Sequence, residues 1–315
     1  MKKTWSSDIP PHIPVLKKEV LDYLSIRPSG IYLDGTVGLG GHTSAIQSRL
    51  SKSGIVVGLD GDAEALERCR KSLPPRPTLH LFHDSYDNFP RHLHSLRIPE
   101  VDGMLIDLGL SSHQLDSPSR GFSYRADGPL DMRFDRSASL TARQIVNDYS
   151  ERDLARMIRE LGEERRAGQI ARALVRARKR GAITTTFQLR EAVAAAVNRR
   201  TLTKTLSRVF QAIRMTVNRE VETLQRFLDT FMAYLKPGGR LVVISYHSLE
   251  DRPVKTRLKD LARGCVCPPE VPTCQCGHDP EIRILTPTPT TPGNEEIRRN
   301  PRARSAKLRA AEKIG

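Results

Sequence analysis

Short apolar runs that end in an acid recur along the first third of the chain. Ile31-Tyr32-Leu33 leads into Asp34, Ile55-Val56-Val57-Gly58-Leu59 into Asp60, and Met104-Leu105-Ile106 into Asp107. Residues 78–86, Thr78-Leu79-His80-Leu81-Phe82-His83-Asp84-Ser85-Tyr86, form a similar run closing on polar groups. Runs this short, bounded by glycine and acid, predict buried strands, and helix-compatible stretches such as 43–50 lie between them. Strand and helix in alternation predict a doubly wound α/β sheet, with its ligand over the carboxyl ends of the strands.

The period then changes. Leu154, Met157, Ile158 and Leu161 fall at i, i+3, i+4 and i+7, and residues 139–214 carry helical patterning without strand signals. Ser150, three residues before Asp153, marks a helix start resembling a capping box. A sheet pattern returns only at Lys236-Pro237-Gly238-Gly239-Arg240-Leu241-Val242-Val243-Ile244-Ser245. We expect an all-helical domain, residues 116–214, inserted into a sheet domain formed by 1–115 and 215–315. Residues 286–292 alternate Thr and Pro and predict an extended segment.

The first strand opens into Asp34-Gly35-Thr36-Val37-Gly38-Leu39-Gly40-Gly41-His42, a strand, a glycine turn and a helix start. Such a turn lets backbone approach a nucleotide-like ligand closely. A dinucleotide fingerprint requires a glycine where Thr43 stands, and a phosphate-binding Walker loop requires a lysine where Gly41 stands. The spacing Asp-x-x-x-Gly-x-Gly fits the turn of S-adenosylmethionine enzymes better. Asp60, 20 residues after Gly40, sits where an acid accepts hydrogen bonds from ribose hydroxyls. Asp107 ends the fourth strand on the same side of the sheet.

Charge adds a second partner. The formal net charge is +15, and residues 151–215 hold 16 Lys/Arg against 6 Asp/Glu, so 16 − 6 = +10 comes from that segment. Residues 298–313 add seven basic residues against one acid. Two separated basic clusters point to a polyanion, and nucleic acid is the expected one. No apolar run is long enough for a membrane span, and the lysines at the start have no apolar segment behind them, so a cytoplasmic protein is expected.

Two polar clusters follow predicted strands: Asp107-Leu108-Gly109-Leu110-Ser111-Ser112-His113-Gln114-Leu115-Asp116 and Ser245-Tyr246-His247-Ser248-Leu249-Glu250-Asp251-Arg252. Neither contains the G-x-S-x-G elbow of a serine hydrolase. Together with His12-Ile13-Pro14-Val15-Leu16, Asp34-Gly35-Thr36, Arg120-Gly121-Phe122-Ser123-Tyr124, Asp127-Gly128-Pro129-Leu130-Asp131-Met132-Arg133 and Asn300-Pro301-Arg302-Ala303-Arg304-Ser305, they make the chain resemble the bacterial 16S ribosomal RNA (cytosine-N4)-methyltransferase family. The resemblance runs nearly end to end.

That resemblance implies a Rossmann-like class I methyltransferase sheet with the helical insert, S-adenosyl-L-methionine as cofactor, and 16S rRNA within the small ribosomal subunit as partner. It places cofactor contacts at Gly40, Gly41, His42, Asp60, Tyr86, Asp107 and Gln114. Tyr86 stands where the family usually has Phe, and residues 203–208 lack the family's His-Pro pair. The other classes weighed are a nicotinamide oxidoreductase, which Thr43 argues against, and a non-catalytic RNA-binding protein, which leaves Asp34, Asp60 and Asp107 without a role.

Cytosine's 4-amino group is a poor nucleophile, so an acceptor for its proton is needed, and Asp107 or a nearby backbone carbonyl is the candidate. Phe122 and Tyr246 are candidates to stack on the base, with core packing as the alternative. Methyl transfer requires no metal, and none is assigned to the site. Cys69 reads as structural. Cys265, Cys267, Cys274 and Cys276, with His278 nearby, form either a tetrahedral zinc set or a cysteine-rich loop.

Overall fold

A computed structural model describes residues 14–265, 267, 273 and 275–315. His12, Ile13 and Cys274 lie outside the described residues. Helix α1 (Lys17–Leu24) precedes β1 (Ile31–Asp34), α2 (Gly41–Gln47), β2 (Ile55–Asp60), α3 (Ala63–Ser72), β3 (Leu79–His83), α4 (Phe89–Ser95) and β4 (Val101–Asp107). After α5 (Ser112–Asp116) come α6 (Ala142–Asp148), α7 (Glu151–Gly162), α8 (Ala167–Arg178), α9 (Thr186–Ala194) and α10 (Leu202–Val217). The chain then forms α11 (Glu220–Thr230), β5 (Leu235–Ser245), α12 (Ser248–Leu261), β6 (Ile282–Ile284), α13 (Asn294–Arg299) and β7 (Lys307–Lys313).

The sheet runs β3-β2-β1-β4-β5-β7-β6, with β7 antiparallel to both its neighbours and the first five strands parallel. This is the Rossmann-like α/β sheet expected from the sequence. Strand order reverses direction between β1 and β4, which leaves a crevice over their carboxyl ends. Asp34 pairs in register with Leu105, two residues before Asp107, so the acids ending β1 and β4 are neighbours. Every residue of β4 up to Ile106 is buried, Asp102 among them, as expected for a strand covered on both faces.

The helical segment has a buried cluster of its own, extending from Phe122 to Val217 and distinct from those around the sheet. Ser150 caps α7, its hydroxyl accepting from the Asp153 N–H. Gly162 closes that helix where it meets α10, and a Cβ there would stand 2.7 Å from the Arg208 carbonyl oxygen. The expected boundary between residues 214 and 215 falls inside α10, which continues to Val217.

The end of the chain differs from a solvated basic tail. Lys307-Leu308-Arg309-Ala310-Ala311-Glu312-Lys313 is an interior strand, with Leu308, Ala310 and Ala311 buried. Arg309 is buried too, and donates to both carboxylate oxygens of Asp251 at 2.6 and 3.1 Å. Arg302 donates to Asp116, and Lys313 lies 3.6 Å from Glu100. Part of this charge is therefore neutralised within the fold, and the tail contributes less to an anion-binding face than its composition predicts.

Candidate active site at the strand ends

The glycine turn after β1 shapes one wall of a crevice of about 760 Å³. Its glycines serve different physical needs. Gly38 and Gly40 have φ of +53° and +85°, a region L side chains rarely adopt. A Cβ on Gly38 would meet nothing, because that position opens into the crevice. On Gly40 it would stand 2.7 Å from the sulfur of Cys69, a buried α3 residue whose thiol burial pushes up to about 12. Cys69 is thus a packing residue behind the turn. Gly40→Ala is expected to lower unfolding free energy by about 1–3 kcal/mol from backbone strain, checked by urea denaturation. Adding Cys69→Ala should restore only the steric part.

Acids organise the same turn. Asp34 is fully buried; it accepts from the Thr43 hydroxyl at 2.6 Å and the Thr36 N–H at 3.2 Å. Burial nevertheless raises its carboxyl above the usual range. Thr43, the residue that breaks a dinucleotide fingerprint, is here the partner that satisfies this buried acid. The Thr36 hydroxyl in turn accepts from the Asp107 N–H at 2.7 Å, joining β1 to β4. Asp60 accepts from the Gly38 N–H at 2.6 Å and the Asp62 N–H at 2.8 Å, so it fixes the turn's far side while lining the crevice. Desolvation, opposed by those two N–H groups, raises its carboxyl to about 6.

At the opposite wall Asp107 accepts from the Tyr246 hydroxyl at 2.9 Å, and its other oxygen lies 3.6 Å from His42 Nε2. His42 is buried at the start of α2, and neither ring nitrogen has a hydrogen-bond partner among the described residues. Tyr246 packs its ring over Gly109, and burial beside Asp107 raises its phenol well above the ordinary value. Deeper in, Arg214 forms a two-bond ion pair with Glu220 at 2.7 and 2.8 Å. His247 Nε2 lies 2.9 Å from Glu250, whose second oxygen accepts from the Tyr246 N–H at 2.7 Å. Glu250 is fully desolvated, yet His247 and Arg214 beside it hold its carboxyl below the usual range.

Gln114 is buried and heavily committed. It closes a capping box with Ser111 at the start of α5 and donates to Asp62 at 2.9 Å. Asp62 also caps α3 and accepts from Arg120 at 2.8 Å, both side chains being 2% exposed. Arg120 further donates to the carbonyls of Arg133 and Phe134, which brings the 134–138 segment to the rim of the crevice. Tyr86 lines the crevice from the loop after β3, edge-on to Phe227 at 5.8 Å. Its phenol is driven well above its ordinary value by burial.

A family model for the MraW methylase family matches residues 10–314. The chain belongs to the MraW methylase family. It is 52% identical over 312 residues to a protein of Nitratidesulfovibrio vulgaris, covering 96% of this chain and 95% of that one. A Halothermothrix orenii protein is 46% identical over 307 residues, with 96% and 98% covered. A Geobacter sulfurreducens protein is 47% identical over 313 residues, with 96% and 99% covered. All three are named ribosomal RNA small subunit methyltransferase H.

In this methylase, one crevice brings together Gly41, His42, Asp60, Tyr86, Asp107 and Gln114. Gly40 stands just behind, against Cys69, where it shapes the turn. Phe122 is not there: it is 5% exposed, stacks on Phe134 at 5.7 Å and belongs to the helical cluster. Its role is core packing. Sequence reasoning missed the Arg214–Glu220–Glu250 network and Asn218, which receives the Phe134 N–H and donates to the Met132 carbonyl. Arg214 and Glu220 sit on two helices separated by Arg219 in a left-handed conformation, so no local motif announces their pairing.

Proposed function

We propose that this chain transfers a methyl group from S-adenosylmethionine to the exocyclic 4-amino group of a cytidine in the decoding region of 16S rRNA, acting in the cytoplasm on the small ribosomal subunit. The observation that carries the reading is the crevice between the Asp34–His42 turn and the Asp107–Tyr246 pair, beside a helical segment rich in exposed arginine. The names of the relatives agree with it.

The crevice fits the cofactor on its own chemistry. A buried imidazole without a hydrogen-bond partner among the described residues, His42, faces it, and Gly38 leaves it open where a Cβ would intrude. In this reading the turn and His42 hold the methionine end, Asp60 the ribose, and Tyr86 the base, with Gln114 fixing the loop above them. When bound, the cofactor supplies a sulfonium methyl already activated for transfer. The chain's task is then alignment and removal of a proton. Asp107, at the end of β4, accepts the proton from the cytosine amino group as the nitrogen–carbon bond forms. The Tyr246 hydroxyl holds that carboxylate in place. Exposed arginines of the helical segment, among them Arg172, Arg176, Arg199 and Arg200, contact RNA phosphates.

Two measurements test the reading. Tritiated methyl transfer to 30S particles and to naked 16S rRNA, followed by nucleoside analysis, is expected to yield N4-methylcytidine; any other methylated nucleoside overturns it. Affinity for S-adenosylhomocysteine by calorimetry is expected to fall as pH drops through about 6, where Asp60 gains a proton and loses acceptor capacity. The decline should approach tenfold per unit, as for about one linked proton, and should vanish in Asp60→Asn. Stability moves oppositely. Because burial raises Asp60 above its unfolded value of 3.8, its contribution to folding is full below that value and is lost as pH rises through about 6.

A further inference from the structure

The connection from α12 to β6, residues 262–281, is pinched at its neck, where the Glu281 N–H donates to the Leu261 carbonyl at 2.8 Å. Neither helix nor strand occurs among its described residues. Its apolar side chains besides cysteine are only Ala262, Val266 and Val271 and four prolines, too few to pack a core of their own. A connection this long needs another source of order.

Its thiols supply one. The sulfur atoms of Cys265, Cys267 and Cys276 all lie within 4.8 Å of one another. Cys265 Sγ and Cys276 Sγ are 3.8 Å apart. Zinc–sulfur bonds of about 2.3 Å at tetrahedral angles place adjacent sulfurs about 3.8 Å apart, whereas a disulfide would require about 2.05 Å. The Gln275 N–H donates to Cys267 Sγ at 3.4 Å, an interaction that favours the thiolate and orients it. Three sulfurs from the two ends of the loop therefore converge, and one pair of them stands at the separation of a tetrahedral soft-metal site.

We propose that Cys265, Cys267 and Cys276 bind a zinc ion as thiolates. His278, two residues beyond Cys276 and with its Nδ1 buried without a hydrogen-bond partner among the described residues, is the candidate fourth ligand. None of the described residues of 262–281 lines the crevice, so the ion is structural: it staples the loop and takes no part in methyl transfer.

Full-length protein purified without added metal is expected to carry about one zinc per chain by mass spectrometry of the metal. Cobalt substitution should yield thiolate charge-transfer absorption and the visible bands of a tetrahedral ion, a readout that needs no variant. The double variant Cys265→Ser/Cys276→Ser should lose zinc about tenfold or more and be cleaved faster by protease within 262–281. Its affinity for S-adenosylhomocysteine should stay unchanged, so failure here is distinguishable from failure of the proposed methyl transfer. Zinc loss in Cys267→Ser supports the site, and full zinc retention in that variant overturns it. Zinc-free protein with four reactive loop thiols, a loop disulfide, or iron in place of zinc overturns the site.

Discussion

Asp107→Asn is expected to lower methyl transfer about 10²–10³-fold, the size of effect seen when one electrostatic partner of a transition state is removed. The substitution preserves shape: an asparagine oxygen still accepts from the Tyr246 hydroxyl, now 2.9 Å from Asp107. What changes is the second atom, which becomes an N–H donor facing the crevice and His42. It repels rather than accepts a proton from an approaching amine. Single-turnover methylation of 30S particles at saturating cofactor separates this effect from binding. A slowed chemical step with S-adenosylhomocysteine affinity within about threefold supports a proton-accepting role. Full turnover in the variant sinks it, and a loss confined to cofactor affinity would make Asp107 a binding residue only. Tyr246→Phe should produce a smaller fall, since it frees the carboxylate without removing it.

Arg120→Ala is expected to cost about 3–5 kcal/mol of stability, because it strips the partner from a buried carboxylate. Arg120 and Asp62 are each 2% exposed and 2.8 Å apart. Removing the guanidinium leaves Asp62 with the α3 N–H groups and the Gln114 amide as partners. The carbonyls of Arg133 and Phe134 lose their donors at the same time. Those carbonyls hold the segment that borders the crevice, so cofactor affinity should fall together with the urea midpoint. In the double variant Arg120→Ala/Asp62→Ala the total loss should be smaller than the sum of the single losses, because no unpaired buried charge remains. Strict additivity would mean that the pair is not coupled.

The parts of the site that were legible in the sequence are local. Strand β2 runs over the predicted residues 55–60, and the turn from Asp34 to His42 is read from adjacent glycines whose conformations the structure bears out at Gly38 and Gly40. Strand β7 was not legible. Lys307–Lys313 contains alanine, glutamate and lysine, which favour helix, and it is a strand because β5 and β6 offer it two edges. Phe122 failed as a base-stacking candidate for a similar reason: an aromatic within a polar motif looks exposed until the helices that bury it are packed around it.

By itself the sequence determined the alternation of strand and helix, the glycine turn, the acids at the strand tips and the concentration of positive charge between residues 151 and 215. Each of these depends on neighbours a few residues apart, through hydrophobic period, backbone conformation and local charge. Tertiary structure alone decided that Thr43 satisfies Asp34, that Tyr246 holds Asp107 across 139 residues, and that Arg309 spends its charge on Asp251. Desolvation is the physical reason. A buried polar group must find a partner wherever the fold brings one, and which groups become buried is set only when the sheet and the helices close over them.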